Sequence, residues 1–246
     1  MAEKFYNNLY ETYPRIYVTQ DLAPGVQILL SPEHAHYLKN VLRREERDFI
    51  RMFNGRDGEW LMRLDALSKK SGIACAQEKL RHQPNIANFT TLYFAPIKKT
   101  RLDILIEKAV ELGVHHLCPV ITARTENRKL KMERMCAQVI EAAEQCERLD
   151  MPIIHDPIDL FHLPQDVTIH AGIERDAQRG DAPLITSLPG GEDVAFLIGS
   201  EGGFTDEEVA MLSARTNIRF ISLGDRIYRA ETAAILCLSH VTLRNL

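Results

Sequence analysis

The stretch VAFLIGSEGGFTDEE, residues 194–208, decides the fold class. Residues 194–198 are a short continuous apolar run of the kind buried on both faces of a parallel sheet. Thr205 followed three positions later by Glu208 is a capping box: the hydroxyl accepts from the Glu208 amide while the carboxylate reaches back to the Thr205 amide. A helix therefore starts at residue 206. Between strand and helix lie Gly199, Ser200, Glu201, Gly202 and Gly203. Three glycines in five positions let the main chain approach a ligand closely or adopt positive φ. In an α/β sheet, ligands bind outside the carboxyl ends of the strands, where this loop sits.

A second loop of the same kind follows an apolar run at 218–223: LGDRIYRAETAA, residues 223–234. It packs two arginines and two acids into a connection before the closing helix, whose stripe is Ala234, Ile235, Leu238 and Val241. Upstream, a strand at 90–95 leads into Leu102, Leu105, Ile106, Ala109 and Leu112, a helical spacing stopped by Gly113. A strand at 115–120 precedes a long helix marked by Met132, Met135, Val139, Ala142, Ala143 and Cys146, and short strands follow at 153–154 and 167–171. This alternation predicts an α/β domain over residues 89–246, with a largely parallel sheet and helices on both faces. The nucleotide fingerprints G-x-G-x-x-G and G-x-x-x-x-G-K-[ST] are absent, as is H-E-x-x-H. These absences disfavour a standard dinucleotide dehydrogenase or ATPase.

The first 80 residues have another texture. Strand patterns at 16–18, 26–30, 48–53, 60–64 and 72–80 are separated by Asn54-Gly55 and Asp57-Gly58, both strong turn dipeptides. Ser31-Pro32 marks a helix start, with Ala35, Leu38, Val41 and Leu42 as its buried stripe. Many strands with one helix predict a small β-barrel over residues 1–80. RHQPNIAN, residues 81–88, has no periodicity and is read as a linker to the domain at 89–246.

The chain has 246 residues, 45% of them hydrophobic and 26% charged, with 30 Lys+Arg against 34 Asp+Glu for a net charge of −4. That sum alone argues against a nucleic-acid partner, but the charge is unevenly spread. Residues 1–80 carry 12 basic and 11 acidic side chains, whereas 81–246 carry 18 and 23. The first region is the less acidic and can hold a local basic surface. Five scattered cysteines without a C-x-x-C pair point to a reducing compartment rather than a disulfide framework. The histidines lack partners at metal-ligand spacing, so no metal is expected. The N-terminal residues lack the apolar core of a signal peptide, and no apolar run approaches a membrane span, so a cytoplasmic protein is expected.

IGSEGGFTDEE (198–208) with LGDRIYRAETAA (223–234), preceded by KAVELGVHHLCPVITART (108–125) and EAAEQCER (141–148), resembles the RsmE-like uridine-N3 methyltransferases of small-subunit ribosomal RNA. These belong to the SPOUT superfamily. Upstream, PRIYV (14–18) and HYLKNVLR (36–43) are similar to the family's N-terminal PUA-like RNA-binding domain. The resemblance implies an S-adenosylmethionine-dependent enzyme with a C-terminal trefoil knot, acting as a homodimer on 16S ribosomal RNA or the assembled small subunit. It places the cofactor on Ile198, Gly199, Gly202, Leu223, Gly224 and Ile227, and RNA on Arg15, Arg43, Lys98, Arg101 and Arg124. The chain departs from the family pattern at Ser200 and Asp225, where proline is usual, and at Tyr228, where leucine is common. It also has Glu46-Arg47-Asp48 where a Gly-Asp turn is expected.

Methyl transfer to uracil N3 requires loss of the N3 proton and stabilisation of the resulting anion. Arg229 is the candidate for the second task, a permanently charged donor. Glu231 or Glu201 is the candidate base. The plain alternative is that each glutamate caps a helix or pairs with an arginine. Two other classes share parts of the pattern. A different α/β enzyme acting on a nucleotide would use the glycine loops but not the fused basic domain, and a non-catalytic ribosome-associated RNA-binding protein would need neither Arg229 nor Glu231.

Overall fold

The computed structural model describes residues 10–172, 182–188 and 191–244. The chain divides into two compact units. One takes in the residues up to Asn85 together with Ala143–Met151, the other Ile86–Ala142 and the residues from Pro152 onward.

The first unit is built on β1 (Arg15–Tyr17), β2 (Gln27–Leu30), β3 (Phe49–Phe53), β4 (Glu59–Leu67) and β5 (Gly72–Arg81), in the sheet order β1-β3-β4-β5-β2. β1 runs parallel to β3, and the remaining pairs are antiparallel. Gly58 shows why the turn between β3 and β4 needs glycine: its φ is +83°, and a Cβ there would lie 2.2 Å from the Arg81 carbonyl oxygen. Alternating inward positions, among them Ile28, Leu30, Ile50, Met52, Met62 and Leu64, close over Trp60 in a single core.

Ser31 caps α1 (Pro32–His36) by accepting from the His34 amide at 3.1 Å. The chain then widens into a π turn over Tyr37–Val41. That turn holds more residues than an α turn and shifts the phase of the apolar stripe. Ala35 and Leu38 are buried as the helical spacing predicts, but Val41 is 58% exposed and Leu42 only partly buried. The π turn closes with Arg43 at φ 53° while the Arg44 amide donates to the Leu38 carbonyl at 2.8 Å, a left-handed helix end.

Arg15 corrects the sequence reading. It is 7% exposed and its donors are engaged within the protein, so it offers no face to RNA. Its Nε donates to Glu59 Oε1 at 2.5 Å, one terminal nitrogen to the Ala143 carbonyl at 2.6 Å and the other to the Arg148 carbonyl at 2.6 Å. The guanidinium also lies 3.5 Å from the centre of the Phe53 ring. Burial pushes the Arg15 pKa down, and the hydrogen bond and charge of Glu59 pull it back up. Arg51 and Arg81 approach the other Glu59 oxygen at 3.7 and 3.6 Å, and Arg51 binds Glu147 at 2.7 Å. Three arginines around one buried carboxylate thus fasten residues 143–151 to the five-stranded sheet.

The second unit holds β6 (Thr90–Phe94), β7 (His116–Ile121), β8 (Ile153–Ile154), β9 (Ile158–Asp159), β10 (Ile169–Gly172), β11 (Val194–Ile198) and β12 (Ile218–Ile221). The sheet order is β12-β10-β11-β6-β7-β8, with β9 pairing to β7, and every pair is parallel. The helices are α2 (Lys99–Glu111), α3 (Met132–Gln145), α4 (Asp206–Ser213) and α5 (Ala230–Arg244). α5 packs on α2 and covers β6 and β11, while α4 lies beside β12. The α/β reading with a parallel sheet holds. Chain order runs from β6 outward to β7 and β8, then returns to the other side of β6 for β10, β11 and β12. This reversal leaves the loops after β11 and β12 on either side of the β10 terminus. Among the described residues, no helix is long and apolar enough to cross a membrane.

Two stability predictions follow from the first unit. Arg15→Ala strips the closest partner from a carboxylate that is 1% exposed, and chemical denaturation should register a loss of about 3 kcal/mol. Arg47 occupies φ 74°, the region that suits the glycine of a Gly-Asp turn, while its amide is held by the Leu64 carbonyl at 2.7 Å. Arg47→Gly relieves that backbone strain without disturbing the bond, and the same assay should show a gain of up to about 1 kcal/mol.

Candidate active site

The carboxyl ends of β10, β11 and β12 open into a cleft of about 540 Å³, within the range of about 300–1,000 Å³ usual for small-molecule sites. Gly172 and Ile198, the last residues of β10 and β11, form its floor. The six residues expected to hold a cofactor, Ile198, Gly199, Gly202, Leu223, Gly224 and Ile227, all line it. The glycines are there for space. A Cβ on Gly199 would come within 3.0 Å of the Phe204 ring, one on Gly172 within 3.2 Å of Ile198 Cδ1, and Gly224 has φ +103°. The glycines open main-chain N–H and C=O groups to the cleft, and these can grip an adenine and an amino-acid head. Arg124, Asp206, Arg226 and Tyr228 also line it, so polar residues share the walls with the glycines.

Both loops are fixed at their bases. In the first, the Gly203 amide donates to the Ser200 carbonyl at 2.8 Å and the Ser200 hydroxyl donates to the Gly203 carbonyl at 3.3 Å. The α4 capping box forms as the sequence predicts. Glu208 does more than cap: it is buried, one oxygen accepts from the Thr205 amide at 2.9 Å, and the other accepts from the Ala123 amide at 2.7 Å. The loop after β7 is thereby tied to the start of α4. Arg124, 78 residues earlier in the chain, donates to the Gly202 and Phe204 carbonyls at 2.7 and 3.1 Å. At the second loop, Ser222 donates its amide to the Pro183 carbonyl at 3.0 Å and accepts from Ile185 at 3.0 Å, so residues 183–185 brace the end of β12.

The candidate catalytic residues lie beside the cleft rather than in its lining. Glu201, at the tip of the first loop, and Glu231, in the first turn of α5, meet at Arg101, in the first turn of α2. Arg101 binds Glu201 at 2.8 Å and approaches Glu231 at 3.8 Å. Glu231 is buried, and its Oε2 has no partner among the described residues. Arg229 is exposed at the end of the second loop. Of the residues assigned to RNA by resemblance, Arg43 and Lys98 are exposed, Arg124 is exposed but bonded to loop carbonyls, and Arg101 is engaged by carboxylates.

Sequence reasoning missed Gly172, Phe204 and Arg226 as cleft residues. Gly172 carries a signal in retrospect, a glycine ending an apolar run at a strand terminus. Phe204 and Arg226 fall inside the two loops singled out above, but nothing local marks them as facing the cleft, because that depends on how the two loops face each other. Among the described residues, no group of three or more histidine, cysteine or carboxylate side chains could hold a metal ion.

Residues 84–242 match the RNA methyltransferase domain family. Over 235 residues the chain is 37% identical to the ribosomal RNA small subunit methyltransferase E of Rickettsia conorii, covering 94% of this chain and 96% of that protein. The Bacillus subtilis protein of the same name is 28% identical over 238 residues, covering 91% and 92%. Among solved structures, a methyltransferase from Legionella pneumophila in complex with S-adenosylmethionine superposes with a TM-score of 0.82 at 30% identity, covering 92% of this chain and 96% of that one. The ribosomal RNA small subunit methyltransferase E of Neisseria gonorrhoeae, also bound to S-adenosylmethionine, gives 0.80 at 27% identity, covering 92% and 95%. The glycine-walled cleft thus belongs to a chain of the RNA methyltransferase domain family, and within it of the ribosomal RNA small subunit methyltransferase E family.

Proposed function

We propose that the protein is an S-adenosylmethionine-dependent methyltransferase that methylates N3 of a uridine in the 16S RNA of the small ribosomal subunit, in the cytoplasm. The observation that carries this reading is the cleft at the ends of β10–β12, walled by the main chain of Ile198, Gly199, Gly202, Leu223, Gly224 and Ile227. The cofactor supplies an activated methyl group on a sulfonium. The protein must hold it rigidly and bring an unprotonated nitrogen into line with it. Arg229 balances the charge that spreads onto the uracil carbonyl oxygens, and one of the two carboxylates at Arg101 accepts the N3 proton.

N3 lies on the Watson–Crick edge, so the target base must be unpaired or drawn out of its stack. The first unit, with its five-stranded sheet and single core, is read as a PUA-like RNA-binding barrel, with Arg43 presented by the left-handed turn that ends the π turn. Lys98 and Arg124 extend the phosphate contacts in the second unit. The bracing of Ser222 by residues 183–185 is read as part of a trefoil knot, and the protein as a homodimer.

Incubation with labelled S-adenosylmethionine and small subunits lacking this modification, followed by mass-spectrometric mapping, should place one methyl group on N3 of a single uridine. Label on carbon, ribose or no RNA at all would refute the assignment. Gly199→Val drives a side chain into Phe204 and should weaken S-adenosylmethionine binding by at least about tenfold in calorimetry. RNA affinity should fall steeply between 50 and 200 mM salt, roughly one power of salt per phosphate contacted. Arg43→Ala should make that slope shallower by about 1.

A further inference from the structure

We infer that Glu201 is the carboxylate that takes the uridine N3 proton, and that Arg101 and Glu231 are positioning residues that hold it in place. This rests on the methyl transfer proposed above and decides between the two candidate bases. Three side chains from three separate elements converge here: Arg101 from α2, Glu201 from the loop after β11, and Glu231 from α5. A base must touch the proton it removes. Glu231 cannot: its unpartnered Oε2 is sealed from solvent, and its other oxygen faces Arg101 at 3.8 Å. Glu201 is the open one of the two: it stands at the rim, outside the lining itself, with its side chain 24% exposed, Arg101 engaging Oε1 at 2.8 Å, and its neighbours Ser200 and Gly202 both lining the cleft.

The order of burial explains the arrangement. A buried carboxylate at Glu231 requires a cation, and Arg101 is the cation within reach. The charge of Glu231 draws the Nε side of the guanidinium to within 3.8 Å, and a terminal nitrogen donates to Glu201 at 2.8 Å. Arg101 therefore acts through Glu201 rather than through an RNA phosphate. In the step itself, the N3–H bond breaks and the proton passes to Glu201 Oε2. The N3 electron pair forms the bond to the methyl carbon, and the S–C pair leaves with sulfur, giving S-adenosylhomocysteine.

The test compares Glu201→Gln, Glu231→Gln, Arg101→Ala and Arg101→Lys in the full-length protein. The readouts are kcat and KM on small subunits, S-adenosylmethionine affinity, and amide hydrogen exchange of residues 199–205. Glu201→Gln should lower kcat by about 100-fold while cofactor affinity and RNA KM stay within about threefold. Arg101→Ala and Glu231→Gln should each lower kcat by about tenfold, with the double variant no worse than either alone. Arg101→Ala should also speed exchange in 199–205, and Arg101→Lys should recover much of both losses. Wild-type turnover by Glu201→Gln overturns the inference. So does an Arg101→Ala variant that changes only the RNA KM and its salt dependence, which would make Arg101 a phosphate ligand. A wild-type protein that methylates no small-subunit RNA removes the proposed function, and the proton assignment with it. The exchange measurement still decides in that case whether Arg101 holds the loop.

Discussion

Parallel pairing of β10 with both β11 and β12 is the constraint on which the site depends. Because the three strands point the same way, their carboxyl ends finish together, and the loops that leave β11 and β12 turn on either side of Gly172. That crowding excludes side chains. Gly172 and Gly199 sit where a Cβ would press against Ile198 or Phe204, and Gly224 takes a φ of +103°. The exposed main chain that results is part of what a ligand finds, beside Arg124, Asp206, Arg226 and Tyr228, so the binding surface owes much to strand direction and loop congestion.

Charge in this protein is informative by depth rather than by sum. Arg15 and Arg101 are both arginines in regions that the resemblance assigns to RNA, yet both are occupied by carboxylates from distant parts of the chain. Arg15 serves Glu59 and the carbonyls of Ala143 and Arg148, which secures a segment more than a hundred residues away in sequence. Of the cations that the sequence reading assigns to RNA or to catalysis, Arg43, Lys98 and Arg229 are exposed without a carboxylate or carbonyl partner named above. They are also the ones whose surroundings leave them open to solvent.

The α/β alternation, the capping box and the two glycine loops were legible because each is a local signal: a period, a cap geometry, a residue without a Cβ. The capping box forms around Thr205 and Glu208, and the strand read at 194–198 is observed over Val194–Ile198. Val41 escaped because a π turn changes the phase of a stripe without changing its composition. The Arg15 and Arg101 partners escaped for a different reason. An arginine that binds a phosphate and one that binds a buried glutamate have the same side chain, and only the fold brings residues 59, 143, 201 and 231 to their partners. Grouping of Ala143–Met151 with the first unit has the same origin, since nothing in a helical stripe says which core will claim its last turn.

The Ser200 turn makes the last point. Proline, which the resemblance leads one to expect at this position, would restrict the chain before folding begins, by removing conformations from the unfolded ensemble. Here the same turn is closed by a serine hydroxyl and a backbone pair reaching across to Gly203. Order written into a covalent ring persists whatever binds nearby. Order held by a hydroxyl depends on its partner: it lasts while Ser200 has the Gly203 carbonyl to donate to, so the first wall of the cleft rests on a bond made only in the folded chain.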